Sequence, residues 1–228
     1  MAADEALLQC ATRQIGSTVL RFYQWQAPTL SLGYFQRYEE RFSHHGSQSC
    51  PLVRRSTGGG AILHDQEWTY SLVVNSTERF HASTIYHDVH QSLVAVLALH
   101  GVHCQMVDQT TPTNEPSPFL CFQRRSAGDV VLAGQKILGS AQRRVGGFVL
   151  QHGSLLLRRS KFAAEIPGLC DLINSETPIR AIRDEWIENI MKRWGRVTQP
   201  SDWTDEERNV AQTWQDIRFE QQKWSQKR

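Results

Sequence analysis

The sequence predicts an α/β fold in which helices are combined with short strands. At 228 residues, the chain has the size of one large domain. Three segments rich in branched residues are joined by glycine-containing turns, which predicts strands within residues 129–157. Apolar residues three and four positions apart predict a helix over residues 83–100. We therefore expect a single domain over residues 1–228, with a core at about 15–200 and a C-terminal helix at 204–224.

The N-terminal region is predicted to form a helix followed by two strands. Residues 3–14 carry apolar side chains at helical spacing. Residues 19–25 and 29–35 are rich in aromatic and branched residues and flank Pro28, which indicates two strands around a turn.

The helix at 83–100 has recognisable ends. Ser83 or Thr84 can cap its N-terminus, and Gly101 follows its last turn. A strand is predicted at 102–107. Residues 108–119 contain three prolines and no periodicity, so they are predicted to form a long loop, and long ordered loops are often functional.

The second half of the chain is predicted to contain the three strands of residues 129–157 and then two helices. The strand segments are DVVLAG, QKILGSAQRR and FVLQHGSLLL. A helix over 179–195 ends at a glycine, and the helix at 204–224 begins with Thr204 and Glu207 at the spacing of a capping box.

Composition and charge exclude several functional classes. Hydrophobic residues make up 40% and charged residues 21%, which is typical of a globular protein and not of a disordered or fibrous one. The formal net charge of +2 is too small for a nucleic-acid-binding protein. The N-terminus lacks the pattern of a signal peptide and no apolar run could span a bilayer, so a cytoplasmic protein is expected. The five scattered cysteines include no CxxC pair, which argues against a disulfide framework or a zinc knuckle.

The segment RRSTGGGAILHD, residues 54–65, is the most informative in the chain. Three consecutive glycines are unfavourable inside a strand, because glycine has no side chain to pack and loses the most backbone entropy. They would let backbone N–H groups approach a ligand oxygen, while Arg54 and Arg55 could bind a carboxylate or a phosphate. The alternative is a flexible hairpin turn with solvated arginines. A Walker loop is excluded, because no Gly-Lys-Ser/Thr sequence follows.

Lys136 and His152 are candidate functional residues on the predicted strands. Lys136 has apolar neighbours, so its side chain either extends to solvent or serves as a catalytic or carbonyl-binding cation. His152 precedes a glycine at a strand position, which by itself is more typical of a hydrogen-bonded core histidine than of a catalytic one.

Cys121 follows the long loop in the segment PFLCFQRR and precedes Lys136 by 15 positions. Most isolated cysteines are inert small hydrophobic residues. A cation beside the sulfur makes a thiol an effective nucleophile at neutral pH, and Lys136 or Arg124 could provide that cation.

The histidines at 87, 90, 100 and 103 form two HxxH pairs, a spacing compatible with metal ligands. The second pair flanks Gly101 at the end of the predicted helix, so four convergent ligands are not expected. No metal site is predicted.

Three segments, RRSTGGGAILHD, GQKILGSAQRR and QHGSLLL, occur in this order and at compatible spacing. Together they resemble the lipoate-protein ligase and octanoyltransferase family, which shares its catalytic domain with the biotin ligases. The resemblance extends to ADEALL and to residues 21–36, so it covers nearly the whole chain. It implies one biotin/lipoate ligase-type catalytic domain of the α+β type, with a mixed, mainly antiparallel sheet flanked by helices.

The resemblance also implies a chemistry, the attachment of an octanoyl or lipoyl group to a lysine of a carrier protein. Ligases of the family form an acyl-adenylate from ATP, whereas octanoyltransferases take the acyl group from acyl carrier protein. In one cysteine-dependent bacterial branch the nucleophile lies in a Cys-Phe pair shortly before the lysine strand, and Cys121-Phe122 is similar to that pair. No accessory domain is expected after the last helix, which favours the transferase. Arg124 and Arg125 depart from the cysteine-dependent branch.

From the resemblance we expect Cys121 to attack the thioester of octanoyl acyl carrier protein, with Lys136 favouring the thiolate and then orienting the acyl carbonyl. The acceptor is expected to be a lysine of a lipoyl-domain protein, such as the glycine cleavage H protein, and the enzyme a monomer. Neither a metal nor a nucleotide cofactor is expected. The acyl group is predicted to lie in a slot with a polar mouth, formed by Arg55, Gly58, Gly59, Gly60, His64, Gly139, Ser140, Ala141, His152 and Gly153, in which residues 139–141 form a turn.

Two other functions remain open. In an ATP-dependent lipoate-protein ligase, which would need ATP and Mg²⁺, Lys136 would bind the acyl-adenylate and Cys121 would be structural. A non-catalytic acyl-binding or carrier-binding protein would keep the fold without turnover, and the simultaneous presence of Cys121 and Lys136 argues against it.

Overall fold

The computed structural model describes residues 1–13, 18–76, 81–109, 117–173, 177–193 and 200–227. Within these ranges the α-helices are α1 (Ala2–Ala11), α2 (Ala82–Leu99), α3 (Leu169–Leu172), α4 (Ile179–Arg193), α5 (Asp205–Trp214) and α6 (Gln222–Ser225). The strands are β1 (Val19–Tyr23), β2 (Thr29–Leu32), β3 (Leu52–Arg54), β4 (Ile62–His64), β5 (Glu67–Asn75), β6 (Gln105–Met106), β7 (Val130–Leu132), β8 (Gln135–Val145) and β9 (Phe148–Leu156). Short 3₁₀ turns occupy Tyr38–Ser43, His45–Ser47 and Cys121–Gln123.

Most of the described strands form one antiparallel sheet of six, in the order β1-β5-β9-β8-β7-β6. A second sheet has the order β3-β2-β4, in which β2 is parallel to β3 and antiparallel to β4. The prediction of a mixed, mainly antiparallel sheet flanked by helices is therefore confirmed.

The main core lies between the large sheet and the helices α2 and α4. The predicted apolar face of α2 is buried there, and Trp186 of α4 packs edge-on to Tyr70 of β5. The opposite face of β5 and β9 packs against α1 and, through Glu67, meets His64 of the small sheet. Because β5 and β9 are covered on both faces, they are buried along almost their entire length, and polar side chains on their second face become part of the site.

Several predicted boundaries are corrected by the structure. The strand predicted at 102–107 is shortened to β6, Gln105–Met106. The strand predicted at 29–35 is shortened to β2, which ends at Leu32. Helix α2 begins at Ala82 with His81 before it, so neither Ser83 nor Thr84 is its cap. Gly101 does follow the helix, with a positive φ of 73°. Most of the predicted loop, residues 110–116, lies outside the described residues, as does the end of the helix predicted at 179–195.

The C-terminal helix predicted at 204–224 is interrupted. Its capping box is present, since Thr204 Oγ1 accepts a hydrogen bond from the Glu207 N–H at 3.1 Å. The helix then changes to a π-turn at Gln215–Phe219 before α6. This break lets the Trp224 indole N–H reach the Arg54 carbonyl oxygen at 3.0 Å.

None of the helices in the described part of the chain is both long and apolar enough to cross a bilayer.

Candidate active site

The glycine segment forms the loop between β3 and β4, as the sequence predicts. Gly59 has a positive φ of 93°, and a Cβ on Gly33 would lie 2.0 Å from the Gly59 carbonyl oxygen, so the loop packs directly against the backbone after β2. Arg55 Nη2 donates hydrogen bonds to the carbonyl oxygens of Gly58 and Gly60 at 3.2 and 2.8 Å. The loop is thus held in shape by a buried guanidinium group and is not a flexible hairpin turn.

The sequence suggested that both Arg54 and Arg55 could bind a ligand, but in the structure only Arg55 lines the cleft. Arg54 has no exposed surface, and its guanidinium donates to the carbonyl oxygens of Gly33, Gln36 and Ser225. Arg54 therefore fastens the C-terminal segment to β3 and cannot bind a substrate carboxylate or phosphate. Arg55 lines the cleft, and burial lowers its pKa to about 10, although nearby Cys121 and Glu67 oppose the shift, so it stays charged at neutral pH.

Cys121 is placed by a 3₁₀ turn that is anchored to the glycine loop. Its backbone N–H donates to the Ala61 carbonyl oxygen at 2.7 Å, beside a parallel bridge between Ala61 and Leu120. Arg124, a candidate cation for Cys121, instead donates to the carbonyl oxygens of Pro118 and Phe119 and closes this turn. The turn holds the thiol at the cleft surface.

Lys136 is the cation beside the Cys121 sulfur. Its Nζ lies 3.5 Å from Cys121 Sγ and 2.8 Å from Asp129 Oδ2. Lys136 is 4% and Asp129 2% exposed, so the lysine does not extend to solvent. Burial raises the pKa of Asp129 above its ordinary value, against the opposing effect of Lys136 and of the Ser126 N–H. The carboxyl and thiol groups flank one ammonium group.

The segment Gly139–Ala141 lies inside β8 and does not form the predicted turn. The glycine is needed there for space, because a Cβ on Gly139 would lie 2.5 Å from Lys136 Cε and 2.8 Å from Nζ. Gly153, paired with Ser140 across the sheet, is equally confined, since a Cβ would lie 2.2 Å from Ser140 Oγ.

A cleft of about 470 Å³, partly open to solvent, brings most of the predicted site residues together. Its walls are mainly apolar surface and backbone. Among the predicted residues it is lined by Arg55, Gly58, Gly59, His64, Cys121, Gly139, Ser140, Ala141, His152 and Gly153. Lys136 and Gly60 are not at its surface, but they contact Cys121 and Arg55 respectively. The lining also includes Met1, Tyr23, Ile62, Thr69, Phe122 and Ser154, which sequence reasoning did not identify.

His152 is held by hydrogen bonds at one side of the cleft. Its Nε2 lies 2.6 Å from Thr57 Oγ1 and its Nδ1 lies 3.5 Å from Asp4 Oδ2. Burial lowers the pKa of His152, although Asp4 opposes the shift. Burial acts to raise the pKa of Asp4, but the terminal ammonium group, His152 and Arg21 hold it below its ordinary value. His152 is thus a neutral, oriented hydrogen-bonding group at neutral pH.

His64 lies in a second hydrogen-bonded group. Its Nε2 is 2.7 Å from Ser31 Oγ, and its Nδ1 is 2.6 Å from Glu67 Oε1. The same oxygen of Glu67 accepts hydrogen bonds from Thr69 and Ser154. Glu67 lies only three positions from His64 in the chain, whereas Ser31 and Ser154 come from β2 and β9, and the spacing of residues did not indicate them.

The HxxH histidines do not converge on a metal. His90 is fully buried, with Nδ1 2.7 Å from the Gly128 carbonyl oxygen and Nε2 2.6 Å from Ser140 Oγ. His100 pairs with Glu185 at 2.8 Å. Across the described ranges, no group of three or more His, Cys, Asp or Glu side chains is arranged to hold a metal ion.

Solved structures show that this fold is known. A lipoate-protein ligase A bound with ATP superimposes with a TM-score of 0.78 at 20% identity, covering 99% of this chain and 92% of that chain. The bipartite lipoate protein ligase of Thermoplasma acidophilum, studied with its E2 lipoyl domain, gives 0.75 at 20% identity, with 99% and 89% covered. These likenesses establish the fold.

Curated relatives found by sequence have a higher identity to this chain than these two solved structures do. The protein named octanoyltransferase LipM from Oceanobacillus iheyensis is 40% identical over 162 residues, which is 69% of this chain and 59% of that protein. The chain therefore spans about three fifths of that relative's length. The octanoyltransferase LipM of Kyrpidia tusciae is 32% identical over 242 aligned positions, covering 93% of this chain and 88% of its own length.

Residues 1–174 match the family described as the lipoyl protein ligase A/B catalytic domain. That match includes the glycine loop, Cys121, Lys136 and His152. The chain belongs to the lipoyl protein ligase A/B catalytic domain family.

Proposed function

We propose that the protein is an octanoyltransferase, which moves an octanoyl group from acyl carrier protein to a lysine of a lipoyl-carrier protein through a thioester on Cys121. The observation that carries the proposal is the position of Cys121, which lines an apolar cleft with its sulfur 3.5 Å from Lys136 Nζ. The relatives named octanoyltransferase LipM support the same reaction.

In the first step, the Cys121 thiolate attacks the carbonyl carbon of the donor thioester. A new carbon–sulfur bond forms, the bond to the donor sulfur breaks, and the donor leaves as a thiol after taking up a proton. The Lys136 ammonium group, held within hydrogen-bond distance of Sγ, pairs with the thiolate and then with the oxyanion that develops on the carbonyl.

Asp129 is a positioning residue in this scheme. Its carboxylate accepts hydrogen bonds from Lys136 Nζ at 2.8 Å and from the Ser126 N–H at 2.7 Å, so it fixes the direction in which the ammonium group points. A buried lysine without such a partner would lose either its charge or its orientation.

The octanoyl chain would lie along the cleft between the glycine loop and the large sheet. Gly58, Gly59, Gly139 and Gly153 line this cleft with backbone atoms, so an unbranched chain can lie against the main chain. His152 would border the polar mouth. The fit of a narrow, mostly apolar slot to a medium acyl chain follows from its shape and lining.

In the second step, the amine of the acceptor lysine attacks the Cys121 thioester. The carbon–sulfur bond breaks, the amide forms, and the departing thiolate can take up the proton that the amine releases. The fixed positive charge of Lys136 disfavours a second ammonium group nearby, so the acceptor enters as the free amine. The proposed acceptor is a lipoyl domain or the glycine cleavage H protein; we place the reaction in the cytoplasm and assign it no metal or nucleotide.

The test is to mix the protein with octanoyl acyl carrier protein and a lipoyl domain, with a chelator and without ATP. We expect octanoyl-lysine on the lipoyl domain, measured by mass spectrometry. A parallel mixture containing free lipoate or octanoate, ATP and Mg²⁺ tests the ligase alternative. Modification only in the second mixture would contradict the transferase.

Cys170 provides a matched control for Cys121. Both thiols are half-buried, and Cys170 does not line the cleft. Cys121→Ala is expected to abolish transfer, whereas Cys170→Ala is expected to retain it.

A further inference from the structure

A second cavity lies beside the acyl cleft. It has an empty volume of about 350 Å³, including the solvent-open space at its mouth, and it shares Ile62 and Phe122 with the first. Phe122 follows Cys121 in the chain, so the wall between the two cavities stands next to the nucleophile. The proposed function uses only the first cavity.

The lining of this second cavity combines an apolar floor with a polar rim. The floor is formed by Ala61, Ile62, Leu63, Leu120, Leu156 and Ala163. The rim contains Asp65, Gln66, Arg158 and Ser160. Asp65 Oδ2 accepts a hydrogen bond from Ser160 Oγ at 2.7 Å, which orders this part of the rim.

Arg158 is the cation of the rim, and it is exposed. None of the ion pairs formed within the described residues involves it, whereas its neighbour Arg159 pairs with Asp171 at 4.0 Å. An arginine at the mouth of a mostly apolar cavity is suited to bind an anionic group at the end of a longer, less polar ligand.

We propose that the second cavity binds the phosphopantetheine arm of the acyl donor, with the phosphate at Arg158. The inference rests on the proposed octanoyl transfer. A thioester bound for attack has its carbonyl carbon at Cys121, its octanoyl tail in the first cavity, and its arm on the other side of the reacting bond. The second cavity adjoins the first at Ile62 and Phe122, next to Cys121, so it is the neighbouring space that can receive the arm. Its carboxylate and amide, Asp65 and Gln66, can meet the two amide groups of the arm.

The same placement gives a route for the leaving group. When the Cys121 thiolate forms its bond to the acyl carbon, the carbon–sulfur bond of the donor breaks and the pantetheine sulfur takes the electron pair. That sulfur is protonated, and the free arm withdraws through the second cavity while the octanoyl group stays on Cys121.

The experiment measures acylation of Cys121 by intact mass spectrometry, using three small donors in place of the carrier protein. They are the octanoyl thioesters of phosphopantetheine, of pantetheine and of N-acetylcysteamine. For the wild type we expect the half-saturating concentration to be between about two and five times lower for phosphopantetheine than for pantetheine, as an exposed ion pair would give.

Arg158→Gln is the informative variant, and Arg159→Gln is its matched control. Arg158→Gln should remove the preference for the phosphorylated donor, so that the phosphopantetheine and pantetheine thioesters reach half-saturation at the same concentration. Arg159→Gln should keep the wild-type preference. If Arg158→Gln also keeps it, the assignment of the phosphate to Arg158 is overturned.

A cavity-filling variant tests the arm independently of its phosphate. Ile166 lines the second cavity and is half-buried, so Ile166→Trp can fill the space with little change to the core. Acylation by both pantetheine thioesters should fall, while the short N-acetylcysteamine donor should react as before. An equal effect on all three donors, or none on any, would contradict the proposal. If no donor acylates the wild type at Cys121, the proposed function itself fails, and this inference falls with it.

Discussion

Lys136 lies in the space left by the missing side chain of Gly139. A Cβ at that position would be 2.5 Å from Lys136 Cε and 2.8 Å from Nζ, well inside van der Waals contact. The Lys136 side chain can therefore pass over residue 139 of its own strand and reach Cys121 only because residue 139 is a glycine. This relationship explains why a glycine occupies the middle of β8, where it contributes nothing to strand stability.

Gly139→Ala is expected to slow Cys121 acylation by about 100-fold, because it displaces the ammonium group by about 1 Å. The rate of octanoyl incorporation under single-turnover conditions measures this effect. If the substitution acts through Lys136, adding it to a Lys136→Met variant should cause no further loss. A second loss of the same size in the double variant would contradict the relationship.

Asp129→Asn is expected to destabilise the fold by about 3 to 5 kcal/mol, because it leaves the Lys136 charge buried without its partner. Urea denaturation measures this change. The double variant Asp129→Asn with Lys136→Met should recover much of the loss. The exposed pair Lys192–Glu188, at 3.5 Å, gives a control, since Glu188→Gln should change stability very little.

Stability at acidic pH should depend on His90. Burial lowers the pKa of this histidine to about 3, although its bond to the Gly128 carbonyl oxygen opposes the shift. The pKa of His90 is lower in the folded protein than the unfolded value of about 6.5, so protonation favours the unfolded state. The contribution of neutral His90 to the free energy of unfolding is therefore fully present above pH 6.5 and is lost as the pH falls toward 3. The slope from His90 approaches about 1.4 kcal/mol per pH unit within that window.

His90→Gln is expected to flatten this dependence, because glutamine cannot take up a proton. The comparison is the free energy of unfolding between pH 7 and 4 for the two proteins. Identical pH dependence in both would show that His90 is not a neutral buried group in the folded protein.

Arg54→Met is expected to destabilise the fold by about 3 to 5 kcal/mol, because several carbonyl oxygens in the protein interior lose a charged donor. The matched control is Arg37→Met, since Arg37 is exposed and pairs only loosely with Glu39, at 3.7 Å. Thermal and chemical unfolding check both variants. Equal stability of the two variants would contradict the structural role of Arg54.

The sequence predicted those parts of the site that are local in the chain. The glycine loop and the Cys121 to Lys136 segment have recognisable patterns, and the structure brings them to one cleft. Partners that come from distant elements, such as Asp4 of α1 for His152 or Ser31 of β2 for His64, have no such pattern. They depend on how these elements pack together, which the sequence alone did not define.

Two sequence predictions were wrong for reasons of packing. Arg54 was expected near a ligand because it stands beside Arg55, but its position on β3 directs it to the C-terminal segment, whose approach to β3 was not predicted. Residues 139–141 were expected to turn because of the glycine, but the glycine accommodates Lys136 and the strand continues to Val145.

Transfer through Cys121 is tested by intact mass spectrometry of the protein mixed with octanoyl acyl carrier protein, without ATP and without a carrier acceptor. We expect one octanoyl increment on the wild type, none on Cys121→Ala, and loss of the increment when a lipoyl domain is then added. No increment on the wild type, or an increment that persists in Cys121→Ala, would contradict it.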